Sequence, residues 1–122
     1  MHELPFVIKL LGEAEETARR ENLARISRLR LRIGELSGIE PECVKLYFET
    51  ASEGTAAEGA LLDFCVEPAK LRCEACGTEY DFLPGHTVGS GRDPFSCPAC
   101  GGSGTLIKGT GTEASLESLE GE

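Results

Sequence analysis

Between Ala69 and Ile107 the chain is rich in Gly, Pro and Cys and poor in large apolar side chains, so this stretch cannot bury enough surface to fold unaided. It carries its own remedy. "CEACG" and "CPACG" place Cys73, Cys76, Cys97 and Cys100 in two Cys-x-x-Cys pairs separated by the interval 77–96. Each pair forms a tight turn that aims two thiolates at one point, and Gly77 and Gly101 behind them tolerate the backbone conformation that brings N–H groups toward sulfur. Four converging thiolates make a closed tetrahedral site, which is what structural zinc requires and which leaves no position for substrate. The same residues could serve a rubredoxin-like iron site or a redox disulfide pair; zinc thiolate is colourless and iron tetrathiolate is not.

The remaining composition narrows the surroundings. At 122 residues and 13.0 kDa there is chain for one modest core plus a metal-stapled module. A net charge of −9 and a pI near 4.7 oppose binding driven by phosphate neutralisation, so nucleic acid is not an expected partner. A zinc-ribbon nucleic-acid binder would explain the cysteines but neither the acidity nor the scarcity of aromatic residues. No apolar run approaches the roughly 20 residues that span a bilayer, and no signal-peptide succession opens the chain, so no membrane partner is expected and the expected location is cytoplasmic. In that reducing setting cysteines bind metal or sit buried as thiols; Cys43 and Cys65 are expected to be small core hydrophobes without chemistry.

Periodicity outlines the rest. From Leu4 to about Arg20, Leu4, Val7, Leu11, Ala14 and Ala18 recur at spacings of three and four, which predicts an amphipathic helix with Pro5 in its first turn. "RISRLRLRIG" alternates Leu29, Leu31 and Ile33 with Arg28, Arg30 and Arg32 and predicts a strand with one buried face; acidic residues abound to solvate the arginine row. "IEPECVKLYFETA" predicts a second, shorter helix with Val44, Tyr47, Phe48 and Ala51 inward. "LLDFCVEP" predicts a strand with Leu62, Phe64 and Val66 on one side, ended by Pro68. The second helix can then be the crossover between two strands of an α/β layer. The tail "TEASLESLEGE" reads either as a further strand or as a frayed end, and its pattern alone leans to fraying.

The opening "MHE" is a second candidate metal site. The Met1 amine and His2 amide nitrogen close a five-membered chelate ring, and the amide with the imidazole Nδ1 closes a six-membered one. Three nitrogens in a plane suit copper(II) or nickel(II) rather than zinc. A fourth donor could come from Glu3, from water or from His86, the only other histidine. Methionine ahead of a large residue is retained, so the geometry is available; yet a histidine at position 2 can equally be an accident of the start codon. No nucleophile and base pair stands out, and the zinc shell is closed, so an enzyme is not expected.

Taken together, "MHEL", "RLRIGELSGIEPE", "EGTAAEGA", "CEACG" and "CPACG" resemble the HypA/HybF family of hydrogenase maturation proteins over nearly the whole chain. The resemblance implies a nickel metallochaperone with Ni(II) as cargo at Met1, His2 and Glu3 and structural Zn(II) on the four cysteines. It implies an α/β fold of two helices packed on a small three-stranded sheet, residues 1–68 plus 110–122, with an inserted zinc-ribbon-like module at 69–109. On this likeness the tail becomes the third strand. The implied partners are the GTPase HypB and the large subunit of [NiFe]-hydrogenase, with urease maturation served by some members. Two departures stand out. Pro5 replaces a small polar residue, and the last strand carries Ala114, Ser115 and Gly121 where larger apolar residues are usual, which predicts weaker pairing.

Overall fold

The computed structural model describes residues 3–82 and 95–122. Helix α1 (Glu3–Arg20) buries Val7, Leu10, Leu11, Ala14 and Ala18 on one face. Its acidic first turn and its basic last turn at Arg19 and Arg20 both suit the helix dipole. Leu4 does not join the buried stripe: it is 43% exposed. Glu3 takes the inward position, and at about 100° per residue Leu4 is carried round to the flank. The helix ends where Asn22 adopts φ 56° and the Leu23 N–H donates to the Ala18 carbonyl at 2.8 Å, a left-handed termination.

Strand β1 (Ile26–Gly34) is the centre of the first sheet, with Leu29, Leu31 and Ile33 alternating inward as their spacing predicts. Ile26 is also buried, three residues before Leu29, because a register irregularity between Ile26 and Arg28 changes the phase of the strand. Helix α2 (Pro41–Ala51) starts at the proline and buries Val44 and Phe48. Tyr47 stays 44% exposed, because the covered face is wide enough for its two neighbours on the 3.6-residue period and no wider. Strand β2 (Leu61–Glu67) then pairs parallel to β1, Leu29 opposite Leu62 and Ile33 opposite Val66, so α2 is the crossover. Leu62 and Phe64 pack on the core, whereas Val66 lies at the open end of the edge strand and is exposed.

The sheet order is β2-β1-β6, with β6 formed by Ala114–Gly121. Strand β6 is the tail, and it pairs antiparallel with β1 from Ile26 opposite Gly121 to Ile33 opposite Ala114. The pattern-based leaning to a frayed end is therefore corrected: Leu116 and Leu119 find partners in Leu31 and Leu29 that no local pattern reveals. Gly121 is a fit rather than a defect, since a Cβ there would sit 2.2 Å from the Arg25 carbonyl oxygen. On the far face of the sheet the arginine row is neutralised across both ladders. Arg28 meets Asp63 and Glu120, Arg30 meets Glu120 at 2.8 Å, and Arg32 meets Glu67 at 3.3 Å and Glu117 at 3.0 Å.

The expected burial of Cys43 and Cys65 is overturned, for both are exposed. Cys43 lies on the solvent side of α2, beside inward-facing Val44, and Cys65 stands opposite Arg32 on the polar face, out of step with Phe64. Only the fold decides which strand face is covered.

Strands β3 (Lys70–Cys73), β4 (Glu79–Asp81) and β5 (Gly104–Leu106) form a second, antiparallel sheet in the order β4-β3-β5. Its core is small: Leu71, Cys73, Tyr80 and Cys97, with Phe82 and Leu106 half-buried against them. Two of the four buried members are cysteines of the paired turns. The two sheets meet at a crossing of backbones. A Cβ on Gly34 would lie 2.4 Å from the Gly111 carbonyl, and one on Gly111, φ 63°, would lie 2.5 Å from Ala69 backbone. Glu35 accepts the Ala69 N–H at 2.8 Å there, and Glu67 accepts the Gly111 N–H at 3.3 Å.

Candidate metal centre

The end of β3 delivers Cys73, and the chain turns back through Cys76 to Gly77, which has φ 78° and donates its N–H to the Cys73 carbonyl at 3.0 Å. The second pair repeats the construction. Gly101 has φ 76° and donates to the Cys97 carbonyl at 2.8 Å. Within each turn a backbone N–H approaches the first sulfur: Cys76 N–H to Cys73 Sγ at 3.5 Å, Ala99 N–H to Cys97 Sγ at 3.4 Å. The Glu74 N–H on the Ser103 carbonyl at 3.1 Å holds the first turn to the segment that follows the second, and the Cys97 N–H on the Gly102 carbonyl at 2.9 Å closes the second turn on itself.

All four sulfurs lie within 4.8 Å of one another, Cys73 and Cys100 at 3.4 Å and Cys76 and Cys97 at 3.7 Å. A tetrahedron with metal–sulfur bonds of about 2.3 Å has sulfurs about 3.8 Å apart, so the constellation fits a zinc-sized tetrathiolate site. Electrostatics agree. The Cys76 thiol, sharing a 3.1 Å hydrogen bond with the Thr78 hydroxyl and another with its backbone, is drawn down to about 6. The Cys73 thiol is lowered by the Cys76 N–H. For Cys100 the Gly102 N–H pulls the same way, but the Cys73 and Cys76 sulfurs override it and raise the thiol to about 12. Four thiolates this close cannot all carry charge without a cation among them. The paired Cys-x-x-Cys spacing anticipates the convergence of these four sulfurs, and Thr78 and Gly102 carry no such signal. A Cβ on Gly102 would stand 3.2 Å from Cys73 Sγ and 3.3 Å from Cys100 Sγ, so the glycine clears the sulfur cage. Its place directly after the second turn's glycine was the available hint.

Of the terminal candidates, Glu3 is described and Met1 and His2 lie outside the described residues, as does His86. Glu3 is 3% exposed, and its Oε2 accepts the N–H of Glu40, the N-cap of α2, at 3.0 Å. The positive amino terminus first, and that N–H second, hold its carboxyl down to about 2. Its carboxylate thus ties the first turn of α1 to the start of α2. Among the described residues, the four cysteines are the group able to hold a metal ion.

Comparison with known proteins accords with this architecture. The family model for hydrogenase/urease nickel incorporation, metallochaperone, HypA matches residues 1–121. The hydrogenase maturation factor HypA of Caldanaerobacter subterraneus subsp. tengcongensis is 38% identical over 122 residues, all of both chains. That of Dehalococcoides mccartyi is 38% identical over 120 residues, covering 98% of this chain and 93% of its own. Among solved structures, a HypA solution structure superposes with a TM-score of 0.67 at 30% identity, covering 100% of this chain and 97% of the other. The Ni metallochaperone HypA from Helicobacter pylori superposes at 0.63 with 28% identity, covering 99% and 97%. From its first helix to its last strand, the chain belongs to the HypA family of hydrogenase maturation, whose members are metallochaperones rather than catalysts.

Proposed function

We propose that this chain takes up Ni(II) as cargo at its amino terminus and delivers it for maturation of the [NiFe]-hydrogenase large subunit. The match of the family model over residues 1–121 carries the reading, because it takes in the terminus and both cysteine pairs together. The donors are the Met1 amine, the His2 amide nitrogen and the His2 imidazole, with Glu3 supplying its amide or tuning the site through its carboxylate. The buried Glu3 supports this, for it gives the start of the chain a fixed anchor on α2. His86 is the candidate for a further nickel ligand. Cys73, Cys76, Cys97 and Cys100 would hold Zn(II), which supplies cross-linking of the module and no reaction.

In this reading residues 1–68 plus 110–122 form the nickel-binding unit and 69–109 the zinc module. The GTPase HypB is the partner in the cytoplasm, and the family description extends delivery to urease maturation. No described helix is long and apolar enough to cross a membrane. A calorimetric nickel titration tests the proposal, comparing native Met1 protein with a form carrying two extra residues ahead of Met1 and with His2→Ala. One tight nickel with a planar-site absorption band in the native form alone is expected. Equal binding by all three would remove the terminus as the site.

A further inference from the structure

The paired turns need more than four cysteines, because the second turn must be brought to the first across the interval between Cys76 and Cys97. Loop closure of that kind costs entropy whether or not a metal is present. The residues that flank this closure are aromatic. Tyr80, in the middle of β4, is buried against Leu71, Cys73 and Cys97. Its hydroxyl donates to the Phe95 carbonyl at 2.5 Å, two residues ahead of Cys97. The Phe82 and Phe95 rings also meet, with centroids 5.0 Å apart and planes inclined at 50°. The phenol reaches Phe95 by passing over the first residue of β5, and Gly104 makes way for it: a Cβ there would lie 1.9 Å from the Tyr80 hydroxyl oxygen and 2.8 Å from the adjoining ring carbon.

We infer that Tyr80 is a positioning residue for the tetrathiolate centre, its hydroxyl holding the approach to Cys97 so that the second pair of sulfurs is presented to the metal held by the first. The inference rests on the reading that the centre holds zinc. Tyr80 packs beside Cys73 and Cys97 and acts on the second turn through the backbone of Phe95, with Gly104 as its required partner. The hydrogen bond is worth most when the metal has let go of one sulfur, because a tethered Cys97 religates before the chain drifts away. Tyr80 therefore governs how fast the metal escapes.

The test uses the full-length protein. Zinc content per chain of the wild type is measured first, then the rate of zinc transfer to excess chromogenic chelator for wild type, Tyr80→Phe, Gly104→Ala and the double variant. Partners that orient metal ligands typically change affinity by about 10–100-fold when removed, so Tyr80→Phe is expected to keep its zinc but release it about tenfold faster. Gly104→Ala, which displaces the phenol while leaving its hydroxyl, is expected to act similarly alone and to add little in the Tyr80→Phe background. The cobalt(II) charge-transfer and d–d spectrum of each variant reports the sulfur geometry, and thermal unfolding of the first sheet is expected to stay at the wild-type midpoint. Zinc present with wild-type release rates in both single variants overturns the positioning role alone. Wild-type protein without zinc overturns the metal reading, and the positioning role with it.

Discussion

Side chains of the same chemical type differ in consequence here according to which face they occupy. Leu29 is 0% exposed in the central strand, and Leu46 is 68% exposed on the outside of α2. Leu29→Ala should cost about 2–5 kcal/mol of unfolding free energy, the range for deleting a leucine side chain from a packed core. Leu46→Ser should change it by less than about 0.5 kcal/mol. Chemical denaturation of both variants checks the pair, and equal losses would contradict the assigned core. Glu3 shows why residue type alone misleads. An acidic residue in the first turn of a helix reads as a surface group favoured by the dipole, yet it is buried and engaged with Glu40, so its role depends on α2 arriving at the same end of the layer as α1.

Among the elements, those with a strong period were legible in the amino-acid string. The alternation of β1 and the three-and-four spacing of α1 reflect one-sided burial, which a local pattern records directly. Strand β6 was not legible by pattern, because its Leu116 and Leu119 are separated by two polar residues, and the register irregularity between Arg30 and Leu31 is what brings both onto β1's buried face. The second sheet depends on chemistry rather than period. Its strands are only three or four residues long and its core is completed by two cysteines. With the four cysteines proposed to hold zinc, chelator treatment or Cys73→Ser should collapse chemical-shift dispersion for residues 70–82 and 95–107 while the amides of β1 keep theirs. Spectra that keep native dispersion throughout the second sheet after complete chelation would show that it stands without metal.

For the whole molecule, the decisive contact is the crossing of Gly34, Ala69 and Gly111, where three segments far apart in sequence pass within side-chain distance of one another. Gly111→Ala puts a methyl group into Ala69 and forces a side chain onto a positive φ. A loss of about 1–3 kcal/mol is expected, the usual result of overpacking, and equilibrium denaturation measures it. Gly109, also at positive φ but with open space around it, is the control for conformational strain without the clash. The convergence of the four cysteines and the two-helix α/β order were determined by sequence alone, because each rests on spacing: two thiols per tight turn, or apolar residues on a helical or strand period. What only the tertiary structure decided are the positions whose partners come from elsewhere in the chain. The pairing of the tail with β1, the burial of Glu3, the exposure of Cys43 and Cys65, and the passage of Tyr80 over Gly104 all follow from which surfaces meet, and burial belongs to a pair of surfaces rather than to a residue.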